Sequence, residues 1–325
     1  MGGGPFAPPD SQYLIRLRTV DGALQPNIST LSYTFTYDSQ MPTASISAPV
    51  DGQFYSSLAA VAGGSSDNVN VSTIALSIWK TGGTCYQPGG TWAACPNWFA
   101  AKGSTSSWTY DFDGAPPWAT NIQYVLYSSA TDMAANAATA VSSAAFTFDM
   151  STPSLRITKP DQAMSLRYKD LSELRGTAYD APPGELLQVK LRVRQLSPSV
   201  LYWIPSGAAG DFGPGAGDAA WFVAASTEAP AWTKWYVSSQ AITDDLVSGR
   251  TYEFHAAAQD KTGAYSQDNS TQTLIVYDNT LPETALTFPQ SGGGMVYVSS
   301  LNAITGGKTD FPQAPLSSGA VREVS

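Results

Sequence analysis

The chain has 325 residues, of which only 13% are charged, about half the share found in an average soluble domain. A formal net charge of −9, without clusters of Lys or Arg, argues against nucleic acid and anionic membranes as partners. No apolar run approaches the ~18 to 20 residues needed to span a bilayer, so we expect no membrane insertion in this segment.

Six residues recur three times in the same order and at nearly the same spacing. They are a Tyr, an Asp eight residues later, the Asp and Pro of an Asp-x-x-x-Pro segment, a second Pro and a further Asp. The three sets are Tyr13, Asp21, Asp38, Pro42, Pro49 and Asp67; Tyr124, Asp132, Asp149, Pro153, Pro160 and Asp180; and Tyr252, Asp260, Asp278, Pro282, Pro289 and Asp310. This regularity indicates a tandem array.

The repeat length predicts the domain boundaries. Units of about 110 to 130 residues can each bury a core, so we expect separate domains joined at the Asp-x-x-x-Pro segments. Residues 1–41 are then the C-terminal part of one domain, 42–152 and 153–281 are two whole domains, and 282–325 begin a further one. The sequence is therefore expected to be an excerpt of a longer protein. An alternative is that residues 282–325 of one copy pair with residues 1–41 of another by strand addition.

A short insertion in the second unit holds both cysteines of the chain. Cys85 and Cys95 flank a Pro-Gly-Gly turn, so a local disulfide at a hairpin tip is easy to form. Metal binding is the weaker alternative, because only two ligands are local and the single histidine, His255, is far away in sequence. A disulfide favours an oxidising, extracellular compartment.

Each of the two whole units contains a long segment rich in aromatic residues after its predicted strand C. Trp92 and Trp203 are nearest the predicted loop tips and are our candidates for contact with a sugar or protein ligand. The alternative is that the recurring aromatic pairs cover a sheet edge and are structural.

Alternating apolar residues predict β-strands. In residues 187–194, Leu187, Val189, Leu191 and Val193 fall on the side expected to face the core. Short strands, turn signals and no helical stripe predict an all-β fold. We expect tandem Ig-like β-sandwich domains in an elongated, beads-on-a-string array.

A Leu-x-x-Gly-x-x-Tyr pattern precedes Tyr252 and suits a tyrosine corner, in which the phenol bonds back to the preceding turn. Trp118 and Asn121 take the Leu and Gly places before Tyr124. The repeat extends the same structural role to Tyr13.

These residues also carry a family resemblance. Residues 129–136 (SATDMAAN), followed by residues 145–153 (AFTFDMSTP), resemble a run found in bacterial Ig-like repeats. Residues 46–55 (ISAPVDGQFY) resemble the first strands of the same modules. The resemblance implies Ig-like or fibronectin-III-like domains of a large secreted or surface protein. Because such domains host many roles, it says little about function.

Aspartates near the predicted joints suggest calcium as a candidate metal. Asp38, Asp149 and Asp278 stand at the joints, and Asp67 and Asp180 lie in loops expected at the same ends. Calcium takes six to eight oxygen ligands, and carboxylates at a joint could stiffen the array. The alternative is that each Asp caps a turn through its own side chain.

Catalysis is not expected. His255 alternates outward on a predicted strand, and no nucleophile and orienting acid are placed beside it by the sequence. The main hypothesis is a non-catalytic stalk or filament protein of a bacterial surface, with neighbouring domains or other copies of itself as partners. The alternatives are an adhesin that binds surface glycans or proteins, and a spacer within a larger secreted enzyme.

Overall fold

The computed structural model describes residues 11–103, 106–114, 116–161, 167–206, 209–215, 217–226, 232–238, 240–266, 271–289 and 297–310. The chain divides into two compact units, residues 1–151 and 152–325. Nearly all regular structure is β. Within the described ranges, no helix is long and apolar enough to cross a membrane.

The first unit begins with a hairpin and continues into a sandwich. Its strands are β1 (Ser11–Val20), β2 (Ile28–Tyr37), β3 (Thr43–Ala48), β4 (Gln53–Tyr55), β5 (Val61–Ser66), β6 (Val71–Lys80), β7 (Thr84–Gln87), β8 (Thr91–Ala94), β9 (Phe99–Ala100), β10 (Lys102–Gly103), β11 (Ser107–Tyr110), β12 (Ile122–Asp132) and β13 (Ser142–Phe148). A 3-10 turn spans Phe112–Gly114.

The second unit repeats this plan and ends in another hairpin. Its strands are β14 (Ser154–Lys159), β15 (Arg167–Tyr168), β16 (Glu173–Tyr179), β17 (Leu186–Gln195), β18 (Leu201–Ser206), β19 (Ala209–Gly213), β20 (Phe222–Val223), β21 (Ala225–Ser226), β22 (Lys234–Ser238), β23 (Thr251–Asp260), β24 (Thr271–Tyr277), β25 (Glu283–Phe288) and β26 (Thr305–Thr309). Its helices are a 3-10 turn, Gly217–Ala220, and α1, Gln240–Asp244.

Each unit contains an Ig-like sandwich of two sheets. In the first unit the smaller sheet has the order β10-β11-β5-β3, and the larger one has the order β4-β13-β12-β6-β7-β8. In the second unit the orders are β14-β16-β22-β21 and β15-β24-β23-β17-β18-β19. The strand pairs are antiparallel except for β4 with β13 and β15 with β24, which are parallel. The two units therefore share one strand order.

The terminal hairpins match parts of this plan. In β1 and β2, Tyr13 is paired with Phe35, just as Tyr124 is paired with Phe146 in the first sandwich. β1 and β2 thus correspond to the last two strands of a sandwich, whereas β25 and β26 correspond to β3 and β5. Apolar side chains of the β1–β2 hairpin, among them Leu17 and Tyr33, are exposed.

The alternation predicted for β17 is correct over most of its length. Val189, Leu191 and Val193 are buried, but Leu187 is 48% exposed. The pairing of β17 with β23 shifts between Leu186 and Gln188, so an irregularity in register places Leu186 in the core instead. The expectation that Leu187 faces the core is therefore wrong.

A tryptophan lies against a glycine at the same place in both sandwiches. Trp108 is paired with Gly63, and Trp235 is paired with Gly176. Both tryptophans are only 1% exposed. A Cβ atom on Gly63 would lie 2.2 Å from the Trp108 ring and 2.0 Å from the carbonyl oxygen of Ser45, and Gly176 is equally crowded. Only glycine leaves room for the ring at these positions.

The structure forms the predicted disulfide. Cys85 lies in β7 and Cys95 follows β8, which pairs with β7 in an antiparallel hairpin. Gly89 and Gly90 make the turn between these strands with φ angles of 103° and 91°, a backbone conformation that favours glycine.

We expect Gly63→Ala to lower the free energy of unfolding by about 3 kcal/mol or more, because the added methyl group meets a buried ring and a backbone oxygen. Gly22→Ala is the matched control, since nothing lies within 4 Å of a Cβ there, and it should change stability by less than about 0.5 kcal/mol. Urea denaturation measures both variants. Equal stability of the two would contradict the packing argument.

Replacing both Cys85 and Cys95 by Ala should lower the free energy of unfolding by about 2 to 3 kcal/mol, because the crosslink closes a loop of 10 residues. Denaturant titration of the oxidised protein and of the double variant gives this difference. Adding a reductant should destabilise the wild type and leave the variant unchanged.

Candidate functional site

Three aspartates meet at one end of the sandwich in the first unit. Asp38 directly follows β2, Asp67 follows β5, and Asp132 ends β12. One carboxylate oxygen of each lies within 4.8 Å of the others. Asp38 and Asp132 are only 8% and 2% exposed. The cluster therefore lies where the β1–β2 segment meets the sandwich.

Backbone N–H groups hold all three carboxylates in place. Asp38 Oδ1 accepts a hydrogen bond from the N–H group of Gln40 at 3.1 Å. Asp67 Oδ2 accepts hydrogen bonds from the N–H groups of Val69 (3.0 Å) and Asn70 (3.1 Å). Asp132 Oδ1 accepts hydrogen bonds from Ala134 and Asn136, both at 2.8 Å. These aspartates thus cap turns, which was the alternative to calcium binding in the sequence analysis. Turn capping uses only some of their carboxylate oxygens.

The side chain of Asn136 connects the hairpin segment to the sandwich. Its Nδ2 atom donates to Asp132 Oδ2 at 2.8 Å and to the backbone carbonyl of Asp38 at 3.2 Å. Asn136 and Asp38 are 98 residues apart in sequence, so one amide joins two distant parts of the unit. Asn136 therefore orients the Asp132 carboxylate while anchoring the chain at Asp38.

The chemistry of the cluster fits a hard cation. Asp67 Oδ1 is buried and accepts no hydrogen bond. The ion pairs found among the described residues do not include Asp67 or Asp132, so no salt bridge offsets the charge of these two carboxylates. Two oxygens bound to one Ca²⁺ at 2.3–2.6 Å lie at most about 5 Å apart, a limit that the observed spacing meets.

The structure brings together Asp38 and Asp67, both predicted as calcium ligands, and adds Asp132. In the sequence, Asp132 is recognisable only as a marker of the repeat. An Asp occurs eight residues after a Tyr in each of the three repeats, and this recurrence was the one indication that Asp132 matters. The recurrence could not predict that the end of β12, which carries Asp132, lies beside the end of β5.

The remaining predicted ligands have different surroundings. In the second unit, the carboxylates of Asp180 and Asp260 lie within 4.8 Å of each other, and Asp260 Oδ1 caps a turn through the N–H groups of Thr262 and Ala264. Asp278 forms an ion pair with Arg167, with 3.4 Å between the charged atoms. In the first unit, Asp149 accepts hydrogen bonds from Thr120 and Ser151.

The two tryptophans proposed for ligand contact pack against other residues of their units. Trp203 is 6% exposed and its indole N–H donates to Asp245 at 2.9 Å, so a ligand would have to open the core to reach it. A Cβ atom on Gly210 would lie 2.3 Å from the Trp203 ring, which shows how closely the next strand packs. Trp92 is half-buried against Tyr86 and Tyr124.

Tyr124 and Tyr252 bond back to the turns that precede them. The N–H groups of Ala119 and Val247 each donate to the phenol oxygen at 2.8 Å. Asn121 and Gly249 have φ angles of 58° and 87°, which lets the chain turn before each Tyr. Tyr13 lies on β1 and stacks on Phe35 at a centroid distance of 5.5 Å.

His255 is not exposed, although its strand was expected to present it to solvent. It points away from the core but is only 7% exposed. Its Nε2 atom lies 2.7 Å from Glu253 Oε2, and Arg194 forms an ion pair with the same carboxylate. Burial lowers the pKa of His255, while the Glu253 carboxylate opposes that change. The residue therefore belongs to a buried polar cluster.

Comparison with protein-family models finds no match, and comparison with curated proteins finds none. Among solved structures, the chain is similar to the fibronectin(III)-like modules of Clostridium thermocellum CbhA, with 14% identity, a TM-score of 0.31, and 73% of this chain and 93% of that chain covered. A tetra-tandem repeat from the extending region of a large adhesion protein gives 18% identity, a TM-score of 0.31 and coverage of 77% and 52%. A 1.5-MDa bacterial ice-binding adhesin gives 12% identity, a TM-score of 0.30 and coverage of 76% and 69%. The strand order described above establishes the Ig-like fold.

The lowered pKa of His255 predicts a pH-dependent stability. The unfolded state binds the proton at a higher pH than the folded state does. The free energy of unfolding therefore decreases as the pH falls through the ordinary His pKa of about 6.5. His255→Gln should therefore lose less stability between pH 7 and pH 5 than the wild type does. Denaturant unfolding at both pH values measures this, and the effects of carboxylates that do not contact His255 cancel between the two proteins. An equal or steeper loss in the variant would exclude this origin.

Proposed function

We propose that this chain is a non-catalytic, load-bearing part of an extracellular stalk. The observation that carries the proposal is the parallel pairing of β4 with β13, and of β15 with β24. In each unit an early strand of the sandwich is thereby hydrogen-bonded to its last strand. Tension applied through the chain loads those hydrogen bonds along the strand axis, so several must break together. The Cys85–Cys95 disulfide supports an oxidising location.

Single-molecule force spectroscopy tests the mechanical role in the first unit. Tyr55→Pro removes a backbone N–H that faces β13, because the Tyr55 carbonyl accepts from the N–H of Asp149 at 2.9 Å and the N–H and C=O of one strand residue point to the same side. Tyr55→Ala loses the same ring and keeps the backbone donor. We expect the proline variant to unfold at a lower force than the alanine variant, even when chemical denaturation gives the two similar stabilities. Equal unfolding forces would contradict a load-bearing β4–β13 pair.

We further propose that the cluster of Asp38, Asp67 and Asp132 binds calcium. The ion would neutralise three close carboxylates and fasten the β1–β2 segment to the sandwich that follows. Asn136 would hold the Asp132 carboxylate toward the ion through its existing hydrogen bond. Asp149, Asp180 and Asp260 occupy the corresponding positions of the sequence repeat, whereas Asp278 has Arg167 as a partner.

Thermal unfolding with and without Ca²⁺ tests this site. At ten times the dissociation constant, Ca²⁺ should raise the melting temperature of the first unit by about 3 to 6 °C. Asp67→Asn keeps a turn-capping oxygen but removes the charge, and it should abolish most of the shift. Asp113→Asn, which changes an exposed carboxylate of the same unit, is the control. Equal Ca²⁺ responses in the two variants would reject the site.

The alternative functions make different demands on the same protein. An adhesin should bind surface glycans or proteins saturably, and Trp92 is the half-buried aromatic residue to test. Spacer domains of a larger secreted enzyme should bind no glycan or protein saturably and should unfold at an ordinary force. A glycan array probed with the wild type and with Trp92→Ala, combined with the force measurement, separates these roles, because only binding that depends on Trp92 supports the adhesin.

A further inference from the structure

The outer face of the larger sheet carries a row of cations in the second unit only. Lys190, Arg192 and Arg194 alternate along β17 on the side opposite the buried Val189, Leu191 and Val193. In the first unit the corresponding positions of β6 are Ala75, Ser77 and Trp79, because β6 and β17 pair in the same register with β12 and β23. The fold does not require charge at these positions.

Two of these cations are held by aromatic rings. The Arg192 guanidinium lies over the Trp221 ring at 4.7 Å and near the Tyr202 ring at 5.7 Å. Lys190 Nζ lies 5.8 Å from the centre of the Tyr265 ring. In the part of the chain that the structure describes, no ion pair includes Lys190 or Arg192. Only Arg194 is neutralised, by Glu253.

This arrangement leaves an excess of positive charge on one face of a protein whose net charge is −9. On β17 and its paired strand β23, three cations face one carboxylate, that of Glu253. His255 adds no charge at neutral pH, because burial lowers its pKa. Because two rings already fix the Arg192 guanidinium, ligand binding would cost little further side-chain entropy. The planar fork of N–H donors on the guanidinium matches a carboxylate.

We propose that this face of the second unit binds a carboxylate-bearing polysaccharide. Charge complementarity comes from Lys190 and Arg192, which are two residues apart on one strand and therefore about 7 Å apart. Their spacing along an open sheet suits a polymer with regularly repeated carboxylates. Trp221 and Tyr202 are half-buried and place amphipathic rings beside the cations, where a sugar ring could stack. This binding is independent of the load-bearing role.

Affinity electrophoresis of the full chain through gels containing polygalacturonate tests the proposal, with neutral dextran as the reference polymer. We expect retardation by polygalacturonate at low salt and none by dextran. The double variant Lys190→Gln/Arg192→Gln should weaken binding by about tenfold or more. Arg156→Gln/Arg175→Gln removes two cations from the smaller sheet of the same unit and should weaken it far less.

Trp221→Ala provides a second variant, since it keeps every charge and removes the ring that holds Arg192; it too should weaken binding. Circular dichroism checks that each variant is folded. Absence of retardation of the wild type, or equal weakening by the two double variants, would overturn the proposal. Stronger binding to poly-glutamate than to polygalacturonate would replace the polysaccharide by an acidic protein segment. The force measurement on β4 is unaffected by any of these results.

Discussion

The contact between a buried tryptophan and a glycine on the paired strand is the constraint on which each sandwich depends. Trp108 lies on Gly63 and Trp235 lies on Gly176, so the ring reaches the backbone that a side chain would otherwise cover. This fills the core with a large apolar ring and fixes the position of the smaller sheet. The strand ends that carry Asp67 and Asp132 are placed by the same packing.

Alternation and spacing were enough to predict the all-β fold, the local disulfide and most of the inward positions. They could not predict the register shift that exposes Leu187, because a bulge depends on how β17 meets β23. They also could not show that His255 is covered on the outer face of its sheet. That burial comes from neighbouring side chains rather than from the period of the strand.

The candidate metal site was only partly visible in the sequence. Asp38 and Asp67 follow strands that end near one another, and turn residues at a joint are readily noticed. Asp132 and Asn136 join them from the far end of the unit, which requires the antiparallel pairing of β12 with β6 to be known. The burial of Trp203 was equally hidden, since it depends on Gly210 in the next strand leaving room for the ring.

The parallel pairs also affect how the protein must be made. β4 lies early in its sandwich and β13 lies last, so one edge of the larger sheet stays open while the intervening chain is synthesised. A nascent unit that lacks its final strand exposes apolar strand surface and is prone to pair with the wrong chain. Because β13 is the last strand of its sandwich, we expect the larger sheet to be completed only after that strand has left the ribosome.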